Sequence, residues 1–592
     1  MSFSQSNGKS IVIRSLSEPE KAWEYRGHTQ ATTVARFSPS GYYVASGDVA
    51  GNVRIWDAIN DEHILKSEVR AISGRVNDIS WDMDSQRVMA VGEGKEAFGR
   101  VFSYDSGNSV GTVEGHSKVI NACTMRQQRP FRAVTCSDDS TCVFYHGAPY
   151  KFQSILKDHS GFVYDTKYSP NGDYFVTVGA DKKVFLYDGK TGELVRQMGK
   201  DSQAAHKGSI YAVSWSPDSK YLLTSSGDRT CKFWDVEKDE IAGTVEMGVG
   251  AEHQQVGNVW AGEHIISLSL SGDINVLQMN NKQVVRAITG HQKSITAAVL
   301  TTDSNNNSLL YTGSYDGKLC TWDFSSKLMG IARAVEGGGY KHDAKLQDAA
   351  SMGDVVVLGF IDDAVRFAQD SKVVGGSSGV SAAAESVALA RNGTTAIAVL
   401  GNGSVVSVDR RKDGEEGAKE RVLATAAKQS AEARAIATSP VSDLAAVGHA
   451  DCSVQLYKLG ADGQLEATPV VVKVNTREIT RMAFSPCGQL LAIGDAGGKI
   501  AVVQTSTGKT VTTRWCAHTA RIYGLAWTKD SQHVASCSLD GHVIVWSVES
   551  PLRKIVIKNA HLGGSSSAAF VDKHTVVSTG ADGGVKVWQV VY

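Results

Sequence analysis

Apolar and polar residues alternate in short runs along this chain, and a turn separates each run from the next. In residues 211–215, for example, Tyr, Val and Trp alternate with Ala and Ser. A period of two is typical of strands with one buried face. Turns of the form Ser-Pro-X-(Gly/Ser) occur at Ser38–Gly41, Ser169–Gly172, Ser216–Ser219 and Ser485–Gly488. Proline presets φ and small or amide residues tolerate a tight return, so these turns predict hairpins between short antiparallel strands.

The strands and turns belong to a repeat with a period of about 40 to 45 residues. A complete copy runs from Gly-His or His to Trp-Asp, as at Gly27–Asp57, His206–Asp235 and Gly290–Asp323. Four short strands at this period are typical of a blade of a WD-repeat β-propeller. Thirteen copies start near His28, Ser73, His116, His159, His206, His253, His291, His342, Glu385, Glu432, Glu478, His518 and His561. A partial copy precedes them, with Ser10–Arg14 as a third strand and Ala22–Tyr25 as a fourth.

Fourteen copies predict an all-β protein made of two tandem seven-bladed WD-repeat β-propellers. The predicted domains are 10–289 and 290–592; counting only full copies would move the boundary to about Asp323. The nine residues before Ser10 are too few for the first two strands of blade one, and only Gln589–Tyr592 follow Trp588. We therefore expect an incomplete first blade and an exposed edge on the last one, which sheet proteins normally avoid.

Composition excludes several classes of function. The 592 residues exceed what one core supports, which agrees with two domains. The formal net charge of -1 provides no global field to recruit nucleic acid or anionic membrane, so neither is an expected partner. The nine cysteines are scattered and form no CxxC pair, which indicates reduced core residues of a cytoplasmic protein. Neither a signal peptide nor a membrane span is predicted.

Three copies place a His, a hydroxyl, an Asp and a Trp at corresponding positions, a set that looks like a catalytic triad. Because the set recurs at the period of the fold, we interpret it as a structural hydrogen-bond relay. The members are His206, Thr224, Asp228 and Trp234; His291, Thr312, Asp316 and Trp322; and His518, Ser536, Asp540 and Trp546. No Cys/His spacing fits zinc and no glycine-rich loop fits a phosphate site, so no enzyme activity, metal or cofactor is predicted.

Departures from the repeat cluster in adjacent copies. The turn at 91–99 is extended, and Tyr145-His146 replaces Trp-Asp in the next copy. Aromatic residues beside charges are typical of protein-binding patches. The patch predicted here consists of Glu96, Asp138, Lys151, Phe152 and Phe162. The alternative is that the two phenylalanines only cover the blade core and that the charges are ordinary solvated surface.

Several of these off-pattern phrases resemble the actin-interacting protein 1 family. They are Ser46–Val49, Gly51–Asp57, Val91–Gly99, Asp105–Ser109, Arg129–Arg132, Tyr150–Phe152, Asp188–Gly192, Gln254–Gly257, His518–Ile522 and Asn559–His561. The resemblance spans nearly the whole chain and is weakest at about 337–473. It implies two linked seven-bladed propellers and actin-binding residues at Glu96, Asp138, Lys151, Phe152 and Phe162. Family members usually begin with a longer segment that supplies a closing strand.

The resemblance also implies a function and partners. It predicts a non-enzymatic, monomeric, cytoplasmic protein of the actin cytoskeleton that binds actin filaments decorated with cofilin (ADF). Such a protein promotes severing and disassembly of filaments and caps the severed barbed ends. We hypothesise that rigid propellers prefer the filament form twisted by cofilin and shift the population toward it. The alternatives are a generic WD-repeat adaptor scaffold for a protein complex and, less favoured, an enzyme that uses the His/Asp sets.

Overall fold

The computed structural model describes residues 2–15, 22–60, 62–199, 206–291, 293–302, 308–315, 319–323, 333–334, 346–361, 364–369, 372–378, 382–409, 431–460 and 464–592. The predicted copy start at His342 lies outside these residues. The described residues form small antiparallel sheets and one short 3-10 helix, Ala251–His253. They fall into two compact units, Met1–Ile288 and Thr289–Tyr592.

Within its described residues the first unit contains seven sheets, which we number in chain order, and six of them have four strands. Sheet 1 has three strands: β1 (Ser2–Asn7), β2 (Ser10–Ser15) and β3 (Ala22–Tyr25). Sheets 2 to 4 contain β4 (Thr32–Phe37), β5 (Tyr43–Asp48), β6 (Asn52–Asp57) and β7 (Leu65–Arg70); β8 (Val76–Trp81), β9 (Arg87–Gly92), β10 (Gly99–Ser103) and β11 (Ser109–Thr112); and β12 (Ile120–Met125), β13 (Arg132–Ser137), β14 (Cys142–His146) and β15 (Lys151–Leu156). Sheets 5 to 7 contain β16 (Val163–Tyr168), β17 (Tyr174–Gly179), β18 (Val184–Asp188) and β19 (Leu194–Gln197); β20 (Ile210–Trp215), β21 (Tyr221–Ser226), β22 (Thr230–Asp235) and β23 (Glu240–Glu246); and β24 (Gln255–Ala261), β25 (His264–Ser269), β26 (Ile274–Gln278) and β27 (Gln283–Ile288).

The second unit also contains seven sheets, and within the described ranges two of them have three strands. The first three sheets contain β28 (Ile295–Thr302), β29 (Ser308–Ser314), β30 (Leu319–Asp323) and β31 (Arg333–Ala334); β32 (Leu346–Met352), β33 (Val355–Phe360), β34 (Ala364–Gln369) and β35 (Lys372–Ser378); and β36 (Ala384–Leu389), β37 (Thr395–Leu400) and β38 (Val405–Asp409). The next three contain β39 (Ala433–Thr438), β40 (Leu444–His449), β41 (Val454–Leu459) and β42 (Leu465–Val472); β43 (Ile479–Phe484), β44 (Leu490–Asp495), β45 (Ile500–Gln504) and β46 (Thr510–Trp515); and β47 (Ile522–Trp527), β48 (His533–Ser538), β49 (Val543–Ser547) and β50 (Lys554–Ile557). The last contains β51 (Ser565–Phe570), β52 (Thr575–Gly580) and β53 (Val585–Gln589).

Each four-stranded sheet is a blade whose strands pair in chain order. The first strands of successive blades lie side by side from β4 to β24 and from β28 to β51. A polar residue early in the first strand bonds to the next blade; Asn77 Nδ2, for instance, donates to Ile120 O at 3.0 Å. Apolar residues of facing sheets form the core between blades. In the second unit β51 lies beside β28, and Ser567 Oγ donates to Ala298 O at 2.9 Å. The predicted class of fold, tandem WD-repeat β-propellers, is confirmed.

Within the described residues the first blade has three strands, so it is incomplete as predicted but has one more strand than the sequence indicated. Residues before Ser10 form β1, which pairs along its whole length with β2. The strand also contacts the second blade, because Ser4 Oγ donates to Ala35 O at 3.0 Å. The prediction that only two strands of this blade are present is therefore wrong. The residues of β1 are mostly polar and include no proline or turn signal. The local sequence therefore did not predict this strand.

Buried ion pairs connect first strands of blades that are not neighbours. In the second unit, Arg481 on β43 donates through Nη2 to Asp348 Oδ1 on β32 at 2.5 Å. In the first unit, Lys167 on β16 lies 3.7 Å from Asp78 on β8, and Asp78 also accepts from Arg36 at 2.9 Å. These ion pairs connect blades across the middle of each unit, in addition to the contacts between neighbouring blades.

Candidate protein-binding surface of the first unit

The predicted relays are hydrogen-bonded sets that join the strands of one blade. His206 Nδ1 donates to Asp228 Oδ2 at 2.9 Å, and His206 Nε2 accepts from Thr224 Oγ1 at 2.7 Å. Trp234 Nε1 donates to the same hydroxyl at 2.9 Å. Burial lowers the pKa of His206, so the ring is neutral at pH 7 with its proton on Nδ1.

The relay of His518 has the same arrangement, and the described members of the His291 relay bond in the same way. His518 bonds to Asp540 at 2.9 Å and to Ser536 at 2.8 Å, and Trp546 donates to Ser536 at 2.7 Å. His291 bonds to Thr312 at 2.8 Å, and Trp322 donates to Thr312 at 2.7 Å; Asp316 lies outside the described residues.

Among the described residues, four further relays were missed by sequence reasoning; they start at His28, His116, His159 and His561. In two of these copies a tyrosine, Tyr145 or Tyr187, occupies the place of the Trp. The Trp-Asp pair that ends a complete copy, the most recognisable part of the repeat, is therefore absent there. The remaining signal was an Asp about 20 residues after the His. His253 starts a predicted copy but forms no relay, since Gln255 bonds to Ser267 and Ser269 in its place.

This geometry argues against a catalytic role for the relays. In the relay of His206 both ring nitrogens are engaged within the blade and the hydroxyl already has two partners, so no group is left for a substrate. Among the described residues, no group of three or more His, Cys, Asp or Glu could hold a metal ion. The same residues include no helix long and apolar enough to cross a membrane.

The five predicted contact residues occupy four places in blades 3 to 5. Glu96 lies in the loop between β9 and β10, and Asp138 lies in the turn between β13 and β14. Lys151 and Phe152 begin β15, and Phe162 immediately precedes β16. Both phenylalanines are exposed, at 44% each.

One segment contacts three of these residues. We call residues 113–119, which join β11 to β12, the connector. Phe152 packs over Gly115 of the connector, where a Cβ would lie 2.9 Å from the ring, and Gly115 has a φ of +105° that favours glycine. Lys118 Nζ lies 5.8 Å from the centre of the Phe162 ring, within the range of a cation–π interaction. The Asp138 amide donates to Val119 O at 3.1 Å.

Asn121, two residues after the connector, holds Asp138 and the Phe162 loop together. Its Nδ2 donates to Asp138 Oδ1 at 2.7 Å and to Val163 O at 3.0 Å. Sequence reasoning missed both Asn121 and Lys118. The signal for Asn121 was its position, since Asn77 and Thr33 occupy the same place in earlier blades and also bond to the next blade.

Glu96 is exposed in a loop that is anchored beside the connector. The Lys95 amide donates to Ser73 Oγ at 2.9 Å. Phe98 packs against the core between blades 3 and 4, which includes Val113, the first residue of the connector, and Ile120, which follows it. The loop is therefore fixed at both ends. Glu96 itself forms no ion pair with any described residue.

Lys151 is separated from Asp138 although both belong to blade 4. The turn of Asp138 closes one end of the β13–β14 hairpin, whereas Lys151 pairs with His146 at the other end. Four residues of β14 separate the two ends, about 13 Å at 3.3 Å per residue. The structure thus gathers Asp138, Phe152 and Phe162 around the connector and leaves Lys151 apart.

Comparisons with known proteins agree with this architecture. The family model of the WD domain, G-beta repeat, matches residues 19–57, 107–146, 150–188, 199–235 and 282–323, and the model of the anaphase-promoting complex subunit 4 WD40 domain matches residues 436–530. Actin-interacting protein 1 of Drosophila melanogaster is 39% identical, over 99% of this chain and 94% of its own length. WD repeat-containing protein 1 of Xenopus tropicalis is 38% identical, over 100% of this chain and 95% of its own.

This chain belongs to the actin-interacting protein 1 family. The resemblance read from the sequence is therefore confirmed. The family also includes uncharacterised members, since an uncharacterised WD repeat-containing protein of Schizosaccharomyces pombe is 42% identical over 99% of this chain and 94% of its own length. Membership of the actin-interacting protein 1 family covers both units, because these alignments extend along nearly the whole chain.

Proposed function

We propose that this protein binds actin filaments through the surface around the connector and acts with cofilin (ADF) to promote their severing and disassembly. We include capping of the severed barbed ends in this proposal. The observation that carries it is the pair of exposed phenylalanines, Phe152 and Phe162, held over one segment of the first unit. Family membership supports the choice of actin, because the Drosophila relative carries that partner in its name.

The surface has the physical properties of a protein contact. Aromatic side chains dominate the energetics of interfaces, and burial of one such anchor commonly contributes about 2 kcal/mol or more. Phe152 is packed on Gly115, and Phe162 lies beside Lys118. Because neighbours already restrict both rings, little side-chain entropy is lost when a partner covers them. Asp138 adds a partly exposed carboxylate beside the two rings.

The mechanism follows from differential affinity. A ligand shifts an equilibrium only by as much as it prefers one state, so a protein that binds the cofilin-twisted filament more tightly increases its population. A rigid surface discriminates better than a flexible one. The relays and the bonds between blades hold the surface rigid, and the described relays leave no free catalytic group, which supports a non-enzymatic role. We propose that the protein acts as a cytoplasmic monomer without nucleic acid or membrane partners.

Cosedimentation with actin filaments, with and without cofilin, tests the proposal. Wild-type protein should sediment with filaments much more strongly when cofilin is present. Phe152→Ala and Phe162→Ala should each weaken this binding about tenfold or more. Tyr42→Ala is the matched control, because Tyr42 is 60% exposed but lies in the turn between β4 and β5. Circular dichroism should show that all three variants fold.

Filament loss and barbed-end growth, followed by microscopy, separate severing from capping. The Phe152→Ala variant should reduce cofilin-dependent filament loss, whereas Tyr42→Ala should not. Equal activity of both variants would contradict the site. Failure of the wild type to bind filaments under either condition would contradict the function and favour an adaptor for another complex.

A further inference from the structure

Two buried cysteines face each other in the hairpin formed by β13 and β14 of blade 4. Cys136 and Cys142 are directly opposite in the register, and their sulfur atoms lie 2.9 Å apart. Both are free thiols, and both are buried. We call Cys136 and Cys142 the thiol pair.

The blade fold does not require two cysteines at these positions. At the corresponding positions of blade 6, Cys231 lies opposite Ser225. In the blade of β47 to β50, Cys537 lies opposite Val543. These single cysteines are buried as well, so a core with one thiol packs equally well. The second thiol of the pair is therefore a departure from the repeat that packing alone does not explain.

The register of the hairpin suits a disulfide. Hydrogen-bonded and non-hydrogen-bonded residue pairs alternate between antiparallel strands, and the Cα atoms of a non-hydrogen-bonded pair lie about 4.5 Å apart. The Ser137 amide donates to Thr141 O at 3.2 Å, so the next pair, Cys136 and Cys142, is non-hydrogen-bonded. Disulfides join Cα atoms about 4.4 to 6.8 Å apart through a bond of about 2.05 Å. Bond formation thus needs the sulfurs to approach by less than about 1 Å from their separation of 2.9 Å.

We propose that the thiol pair is a redox modification site that forms a reversible disulfide when a peroxide oxidises it. One sulfur attacks an oxygen of hydrogen peroxide and becomes a sulfenic acid, with release of one water. The second thiol attacks the sulfenic sulfur, forms the S–S bond and releases a second water. The two thiols together lose two protons and two electrons, and hydrogen peroxide is reduced to two waters. Transient disulfides of this kind are typical of redox-sensing proteins in reducing compartments.

Burial controls how fast the thiol pair reacts. It raises the pKa of Cys136, so little of the reactive thiolate is present while the hairpin is closed. Residues 138–141, in the turn between the two cysteines, are only partly buried, and local opening of this turn admits a small peroxide. The second thiol then captures the sulfenic acid before further oxidation. We therefore expect slow oxidation that ends at the disulfide.

The disulfide would also restrict the turn that contains Asp138. Asp138 is bonded through its amide to Val119 O and through its carboxylate to Asn121. A cross-link at the base of this turn removes conformations in which the turn is open. Oxidation should therefore make the turn more rigid. The inference does not depend on the proposed function, because oxidation and turn opening are measured on the chain alone.

Mass spectrometry of the full chain after treatment with hydrogen peroxide tests the inference. The folded protein is oxidised, denatured, alkylated with iodoacetamide and digested with trypsin. Both cysteines lie in the tryptic peptide 133–151, because Arg132 and Lys151 precede its two ends of cleavage. The disulfide should leave most of this peptide unalkylated and two hydrogens lighter. Reduction with dithiothreitol before alkylation should restore two alkyl groups.

Cys537 is an internal control that needs no substitution. It is buried at the position that corresponds to Cys136, but it faces Val543 and is the only cysteine of the tryptic peptide 530–553. It should still be alkylated under conditions that oxidise the thiol pair. Cys136→Ser is the matched variant, because it copies the Ser225 and Cys231 arrangement of blade 6. Its peptide should not lose two hydrogens.

Several results would overturn the inference. One is the retention of two alkyl groups on peptide 133–151 after peroxide has fully oxidised exposed Cys487. Others are oxidation of Cys537 at the same rate as the thiol pair, and a product that dithiothreitol does not reverse. Circular dichroism follows the fold during treatment, and a disulfide that forms only in urea would also overturn the inference.

Hydrogen exchange measures the effect on the turn. Amides of residues 137–141 should exchange about tenfold or more slowly in the oxidised protein than in the reduced protein. Equal exchange in the two forms would contradict the restriction of the turn.

Discussion

Removing Arg481 should destabilise the second unit far more than removing a surface lysine. Asp348 is only 3% exposed and depends on Arg481, whose Nη2 lies 2.5 Å from its Oδ1. In Arg481→Met the carboxylate keeps two backbone donors, the amides of Ala349 at 2.8 Å and Val387 at 2.9 Å, but loses its counter-charge. An unpaired buried charge costs about 3 to 5 kcal/mol. Because two backbone donors remain, we expect the loss in unfolding free energy to lie at the lower end of this range, about 3 kcal/mol.

Urea denaturation followed by tryptophan fluorescence measures this loss. Lys473→Met is the matched control, because Lys473 is 62% exposed and its Asp451 partner 41% exposed at 3.3 Å. That substitution should cost less than about 1 kcal/mol. Adding Asp348→Asn to Arg481→Met should restore part of the stability, since the buried charge is then gone. Equal losses for Arg481→Met and Lys473→Met would refute the reasoning.

Three further predictions concern the relays and the thiols. Thr224→Val removes a relay hydroxyl and should cost about 1 to 3 kcal/mol in chemical denaturation, whereas exposed Thr191→Val should change stability by less than about 0.5 kcal/mol. Iodoacetamide should modify exposed Cys487 in the folded protein and buried Cys136 only after unfolding, as mass spectrometry of quenched samples would measure; equal rates would contradict the burial. Burial alone would raise the pKa of Asp582, but its hydrogen bond with His561 and the charge of Lys586, whose Nζ lies 2.9 Å from Oδ2, lower it to about 2. Its stabilisation is thus present above about pH 4 and lost toward pH 2, so Asp582→Asn should cost about 2 kcal/mol at pH 7 and almost nothing at pH 2.

The relays show what a repeated phrase can predict. Where the phrase was intact, as at His206 and His518, the sequence identified every member of the hydrogen-bonded set. Where Tyr145 replaced the Trp, the relay of His116 was missed although its geometry is the same. A phenol and an indole can both reach the shared hydroxyl, so the contact survives a change that removes the sequence pattern.

For the candidate surface, the sequence predicted residues but not their arrangement. Departures from the repeat singled out Phe152 and Phe162 but could not show that the connector lies beneath both. They also grouped Lys151 with Phe152 because the two are adjacent in the chain. Adjacent residues of a strand point to opposite faces, so Phe152 packs on the connector whereas Lys151, paired with His146, does not.

The sequence by itself determined the class of fold and the number of blades, because the signals for strands and turns are local and recur at a fixed period. The tertiary structure alone decided which distant residues meet. Asp348 and Arg481 are 133 positions apart and form an ion pair only because their blades face each other across the unit. Strand β1 was likewise decided by its neighbours, since its polar residues become a strand through pairing with β2. Local patterns specify elements, whereas contacts between elements depend on how the sheets are arranged around each unit.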